Sequence, residues 1–209
     1  MPTPEIIILG GKPYSGKSSL SRKFINSESL GKIRLLTMGE RLRSIAAGEI
    51  ESKHSKVLKE NLNTLKQHNP VPKEIPLEIF EEFVNEDPES LIILDGFPRY
   101  PDRLTGFEES LIRLNANVIA LCRVDVEDAV VFKRIKEREQ RYPDIEEDYE
   151  FVNKRITDYR TNMIPTMEHL AKVYPLYLLN GEDKFDHNLE KMINIYKTES
   201  KNYKKAFKH

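Results

Sequence analysis

The run "GGKPYSGKSSL", Gly10 to Leu20, sets four residues between Gly11 and Gly16 and follows them with Lys17 and Ser18. It comes directly after the apolar run "IIIL" and before a stretch where Leu20 and Phe24 share a helical face. In such a strand–loop–helix turn the backbone N–H groups converge on phosphate oxygens, and the helix N-terminus adds partial positive charge. Lys17 would neutralise the β- and γ-phosphates, and Ser18 or Ser19 would offer a hydroxyl to Mg²⁺. The spacing predicts a triphosphate site made by Gly11, Pro13, Tyr14, Ser15, Gly16, Lys17, Ser18 and Ser19. It says nothing about the group that receives a phosphate.

A second string, "LDGFPR" from Leu94 to Arg99, ends another apolar run. A carboxylate at a strand end, Asp95, can hold an Mg²⁺-bound water. Gly96 permits close backbone approach, and Arg99 can meet a phosphate with two parallel N–H groups. Ser18 and Asp95 are therefore the candidate metal residues.

These residues need a frame. Five apolar runs read as strands: 6–9, 33–36, 91–94, 118–122 and 176–179. Their Ile, Leu and Val are consecutive, which predicts strands buried on both faces of a parallel sheet. Helical stripes lie between them: Leu104, Phe107, Leu111 and Leu114; then Val126, Ala129, Val130 and Ile135, with Asp125 as the expected N-cap; then Leu189, Met192, Ile193 and Tyr196. The alternation predicts a doubly wound α/β fold, whose ligands sit at the carboxyl ends of the strands. Residues 38–87 hold too much chain for one crossover helix, and an inserted subdomain is expected there. Residues 138–149, "REQRYPDIEEDY", read as an exposed loop, with Glu146, Glu147 and Asp148 as a solvated charge run. Met163-Ile164-Pro165 reads as a helix kink.

Length and composition narrow the class. The 209 residues suit one domain. With 33 basic against 34 acidic residues the formal charge is −1, so no global field draws the chain to nucleic acid or a membrane. An anionic ligand must be held by a local cluster of cations. The single cysteine, Cys122, excludes an internal disulfide and reads as a buried thiol. The five histidines are scattered without ligand spacing. Neither a signal peptide nor a membrane span is read, and a cytoplasmic monomer is the expectation.

Together these strings resemble the adenylate kinase family, which includes the UMP/CMP kinases, over nearly the whole chain. The phosphate loop and "DGFPR" anchor the resemblance, and weaker segments follow in order. "MGERLR", Met38 to Arg43, is similar to the segment that opens the monophosphate-binding insert, here 38–75, where Met38 and Arg43 would meet the acceptor and Arg43 its phosphate. "NPVPKEI", 69–75, resembles the stretch lining the acceptor base, which implicates Val71. "RIKER" supplies Arg134, over the donor adenine, and Arg138, on phosphates. "NKRITDYR" supplies Arg155, another phosphate contact. "NGED", 180–183, resembles the loop flanking the donor base. Residues 138–149 correspond to a short lid, with Arg141 as its candidate arginine.

The resemblance implies a P-loop nucleoside triphosphate hydrolase-like fold with five parallel strands, an insert and a lid. It implies transfer of the γ-phosphoryl group from ATP, with Mg²⁺, to a nucleoside monophosphate. Lys17, Arg99, Arg138, Arg141 and Arg155 would be catalytic. Met38, Arg43, Val71, Gly96, Arg99 and Arg103 would bind the acceptor, taken first as AMP, with UMP or CMP as the alternative. A nucleotide-binding protein without turnover, and a kinase for a non-nucleotide acceptor, are the other readings.

Ser18 stands at a usual glycine of the family and Ser19 at a usual threonine, which returns the loop to the general phosphate-loop form; two further positions depart from the family pattern. Tyr14 stands at a usual glycine, and its β-carbon restricts φ. The loop is therefore expected to do without a left-handed residue there, with the ring shielding phosphates or resting on the lid. Arg103 stands where adenylate kinases usually have glutamine and UMP/CMP kinases asparagine. An amide both donates and accepts, whereas a guanidinium only donates.

Overall fold

The computed structural model describes residues 3–27, 30–61, 71–142, 144 and 147–206. Each apolar run forms a strand: β1 (Glu5–Gly11), β2 (Ile33–Thr37), β3 (Leu91–Asp95), β4 (Asn117–Asp125) and β5 (Leu176–Asn180). All neighbours pair in parallel, in the order β2-β3-β1-β4-β5. β1 therefore lies at the centre, where the chain switches from one side of the sheet to the other. A crevice opens at such a point beyond the carboxyl ends of the strands.

The consecutive apolar residues of β1 are explained by its two covered faces. Ile6 and Ile8 enter one core and Ile7 and Leu9 the other. The first core collects Leu42 and Ile45 from α2 (Met38–Ala47), Leu58 from α3 (Ser55–Glu60), Phe80 from α4 (Glu74–Glu86) and Phe107 from α5 (Leu104–Leu114). Phe80, Phe97 and Phe107 form an aromatic knot within it, with ring centroids 5.2–5.7 Å apart. The second core takes Leu20 and Phe24 from α1 (Lys17–Phe24) and Met192 from α9 (Phe185–Ala206). The region 38–87 does contain several helices, but its described apolar residues share the first core rather than making one of their own.

A third, smaller cluster joins α6 (Asp128–Arg141) to α7 (Tyr149–Asp158) through Val131, Ile135, Val152 and Ile156. After α7 the chain widens into a π-helical turn, Tyr159–Met163, and then enters α8 (Ile164–Leu170), with Pro165 in its first turn. The expected kink is thus a π segment handing over to a proline, which has no N–H to contribute there.

Three expectations are corrected. β5 is not buried on both faces: Leu178 is 59% exposed, because among the described residues β5 is an edge strand paired with β4 alone. Asp125 caps no helix. It ends β4, grips Arg123 at 2.9 Å and accepts from the Tyr159 hydroxyl, while Glu127 takes the N-cap position of α6. The helix also runs through Arg141, so the first residues assigned to an exposed loop continue α6.

Candidate active site

The loop between β1 and α1 is fixed by close backbone approach. A β-carbon on Gly11 would lie 2.7 Å from Ser15 Oγ and 2.9 Å from the Val124 carbonyl. Gly16 heads α1 at φ 95°, a conformation that glycine adopts without steric cost. Tyr14 also adopts left-handed φ, at 59°. This overturns the expectation that the loop does without such a residue. The turn demands positive φ at this point, and the side chain compensates for it. Arg134 Nη1 donates to the Tyr14 carbonyl at 2.9 Å, and the ring packs on the α6–α7 cluster. Arg138 Nη1 lies 3.5 Å from the Tyr14 hydroxyl. Desolvation, with Glu147 alongside, pushes the Tyr14 hydroxyl up to about 12.

Lys17 Nζ lies 2.5 Å from Asp95 Oδ1, and Ser18 Oγ donates to Asp95 Oδ2 at 3.1 Å. Asp95 is buried at the carboxyl end of β3, beside β1. The two residues read as metal ligands thus meet across the phosphate loop. Hydroxyl and carboxylate oxygens are hard donors suited to Mg²⁺. Among the described residues no cluster of three His, Cys, Asp or Glu could hold a metal by itself, so phosphate oxygens and water must complete such a shell. Ser15 Oγ is buried without a hydrogen-bond partner inside the loop, a polar group open to an anion.

A cleft of about 820 Å³ runs over this loop and is bounded by Arg22, Arg134, Arg138 and Arg155. Beside it lies a pocket of about 230 Å³, between Arg134, Gly181, Asp183 and Phe185. Arg134 Nη2 donates to the Gly181 carbonyl at 2.5 Å and so ties the phosphate loop to the "NGED" loop. Behind Lys17 a narrow crevice is lined by Gly96, Arg99, Arg155 and Tyr159. Arg155 Nε is buried without a hydrogen-bond partner, and burial, with Arg99 and Arg43 nearby, lowers its pKa. Positive charge is concentrated here ahead of any anion.

Three of the arginines are held by carboxylates, Arg22 by Glu40 at 2.9 Å. Arg99 pairs with Asp158, and Arg138 Nη1 with Glu147 at 2.5 Å. Arg43 lies on α2, its guanidinium accommodated by Gly39: a β-carbon there would lie 3.3 Å from Arg43 Nη1. Arg103 is 7% exposed and donates from Nη2 to the Val71 carbonyl at 2.9 Å. Gly96 takes φ 71°, and its N–H bonds Leu9. Met38 is buried in the first core, so its side chain serves as wall rather than polar contact. Pro13 lines the cleft and Ser19 both the cleft and the adjoining pocket. Arg141, in contrast, stands exposed at the end of α6 and lines neither cleft. Asn69 and Glu146 fall outside the described residues.

Sequence reasoning missed three groups. Lys12 lines the cleft, but its charge is already engaged. It bonds the Val126 carbonyl at 2.5 Å and Asp128 at 2.8 Å, pinning the loop to the start of α6. Glu147 is not a solvated acid, because it is the counter-charge of Arg138. Asp148 N-caps α7, accepting from Phe151 N–H at 2.9 Å. An aspartate just before a helical stripe was the available signal for that cap. Nothing local in the sequence marks the other two.

Comparison with known proteins agrees with this geometry. A family model described as "AAA domain" matches residues 10–150, more than half of the chain. The chain is 25% identical over 167 residues to the uridylate kinase of Saccharomyces cerevisiae, covering 78% of this chain and 76% of that protein. It is 24% identical over 195 residues to the adenylate kinase of Helicobacter hepaticus, covering 92% and 97%. It is 23% identical over 207 residues to the UMP-CMP kinase of Prunus armeniaca, covering 96% and 84%. The chain belongs to the AAA domain family, and the relatives it resembles are named as uridylate, adenylate and UMP-CMP kinases.

Proposed function

We propose that the chain catalyses reversible, Mg²⁺-dependent transfer of the γ-phosphoryl group from ATP to a nucleoside monophosphate. The observation that carries this is Arg155. A pure nucleotide binder has little use for a half-buried guanidinium whose Nε is buried without a hydrogen-bond partner, set in a crevice with Lys17 and Arg99. A transferring phosphoryl group needs such a cluster, because catalysis of this reaction is mostly positioning and charge neutralisation.

In this reading the triphosphate lies on Gly11–Ser19 and the adenine enters the pocket beside Arg134. Lys17 exchanges Asp95 for phosphate oxygens. Ser18 and Asp95 hold Mg²⁺, whose charge, when bound, neutralises the phosphate oxygens. Arg43 and Arg99 take the acceptor phosphate, and Arg138 exchanges Glu147 for the donor's. The acceptor base points toward Val71 and Arg103. The resemblance favours AMP as acceptor, with UMP or CMP as the alternative; a donor-only Arg103 can meet the carbonyl oxygens of a pyrimidine or the ring nitrogens of adenine. Among the described residues no helix is long and apolar enough to cross a membrane, and the reaction is assigned to a monomer in the cytoplasm.

The test is direct. The protein is incubated with ATP, Mg²⁺ and AMP, UMP, CMP, GMP or dTMP separately, and diphosphates are followed. At least one monophosphate is converted; conversion of none contradicts the kinase reading.

A further inference from the structure

We infer that the crevice behind Lys17 is built to refuse water as acceptor of the phosphoryl group, and that Met163 and Tyr159 decide between transfer and hydrolysis. This rests on the reading that the γ-phosphoryl group moves through this crevice. Its volume is about 50 Å³, room enough for a water molecule, so size alone does not keep water from reacting. The lining does. Lys17, Arg99 and Arg155 supply its charge, and each of these side chains donates hydrogen bonds and accepts none. Its remaining side chains are those of Pro13, Tyr159 and Met163. Among the described residues no carboxylate, imidazole or amide side chain lines it.

The hydroxyl of Tyr159 is already committed. It donates to Asp125 Oδ1 at 3.2 Å, and Asp125 is held in turn by Arg123 at 2.9 Å. Burial, with Asp125 alongside, raises the pKa of this hydroxyl, so it stays protonated and is no base at neutral pH. Met163 stands at the other end of the π turn, and both residues are buried. Its methyl group packs under β1, where a β-carbon on Gly10 would lie 3.0 Å from Met163 Cε. Protons then separate the two acceptors. Transfer forms a bond from an acceptor phosphate oxygen to the γ-phosphorus and breaks the bond to the β–γ bridging oxygen, which leaves with ADP. The attacking oxygen is already ionised near neutral pH, so no base is needed. Attack by water breaks the same bond but must also shed a proton, and a positioned base is worth about 10²- to 10⁴-fold in such a step. The crevice stabilises either attack by its charge and offers a base to neither. It therefore favours the acceptor that arrives without a proton.

The ratio of two rates tests it. With ATP and Mg²⁺, orthophosphate release is followed without an acceptor, and diphosphate formation with AMP, UMP, CMP, GMP and dTMP separately, the fastest of these giving the transfer rate. Wild-type hydrolysis is expected at least about a hundredfold below transfer. Met163→Gln brings a hydrogen-bond acceptor to the crevice and is expected to raise the ratio of hydrolysis to transfer by on the order of tenfold. Met163→Leu keeps that wall apolar and is expected to hold the ratio within about threefold of wild type, whatever it does to the two rates. A variant that merely packs poorly would not separate Gln from Leu. Should Met163→Gln fail to fold, the wild-type ratio decides alone. A wild-type gap smaller than about a hundredfold overturns the inference, as does a folded Met163→Gln variant whose ratio rises no further than that of Met163→Leu. Either result leaves the kinase reading intact, because diphosphate still forms. Absence of diphosphate with every monophosphate overturns that reading, and this inference with it.

Discussion

At the residue scale the site is a set of cations, several of them held by carboxylates. Lys17 is held by Asp95, Arg99 by Asp158 and Arg138 by Glu147. A phosphate that enters must displace a carboxylate, so each pairing sets a threshold for binding. Glu147→Gln removes the charge that competes for Arg138 and is expected to lower KM for ATP by about two- to fivefold, in line with the worth of a partly exposed ion pair. An unchanged KM in steady-state kinetics would show that Arg138 does not reach the donor phosphates. Lys17→Met is expected to cut kcat by about 10²- to 10³-fold, as for the loss of one preorganised cation or donor at a transferring group, while far-ultraviolet circular dichroism stays native. Arg155 was legible only as one arginine in a matching string. Its burial, and the orphaned Nε that makes it the centre of the cation cluster, arise from α7 packing on the rest of the fold, which no local pattern encodes.

At the element scale the phosphate loop is braced from three directions. Lys12 reaches α6, Arg134 reaches the loop after β5, and Tyr14 lies on the α6–α7 cluster. Gly181 marks how tight this is, since a β-carbon there would meet Val126 Cγ1 at 2.4 Å and the Ser15 carbonyl at 2.8 Å. Gly181→Ala is expected to push on the phosphate loop, raising KM for ATP and lowering thermal stability by about 1–3 kcal/mol, the usual cost of overpacking. A variant with native KM and native melting would show that the loop is not braced here. The strands were legible because consecutive apolar residues in β1 and β3 have no other use than burial on both faces. The same rule misled at β5, where edge position overrides composition. Tyr14 was misread for a related reason: steric preference argues against positive φ, but the loop's closure and the Arg134 bond outweigh a cost of about 1–2 kcal/mol.

At the scale of the whole molecule, two cores lie on opposite faces of one parallel sheet, and Lys17, Ser18 and Asp95 meet at the carboxyl ends of its central strands. Several acids sit in this frame in their neutral forms. Burial pushes the Cys122 thiol up to about 12 from an ordinary 9.0, and burial with Glu199 pushes the Tyr177 hydroxyl up to about 12. Tyr14 behaves alike. In the unfolded chain these groups lose their protons at lower pH than in the fold, so between the two values the unfolded state binds fewer protons. Their contribution to stability is complete below about pH 9 and is lost progressively as pH rises toward about 12. Urea unfolding midpoints are expected to fall between pH 8 and pH 10.5, and a flat profile would contradict the burial of these groups. The doubly wound architecture was legible from strand spacing alone. The bond between Arg103 and Val71 was not, because it joins residues 32 positions apart.

The central claim is that this cation-lined crevice moves a phosphoryl group between two nucleotides. ATP labelled in the γ-phosphate, with Mg²⁺ and UMP, tests it most directly. Label appearing in UDP, in amounts matching the ADP formed and abolished by Lys17→Met, is the predicted result. Label that stays in ATP or emerges only as inorganic phosphate, with UMP and with every other monophosphate, would contradict it.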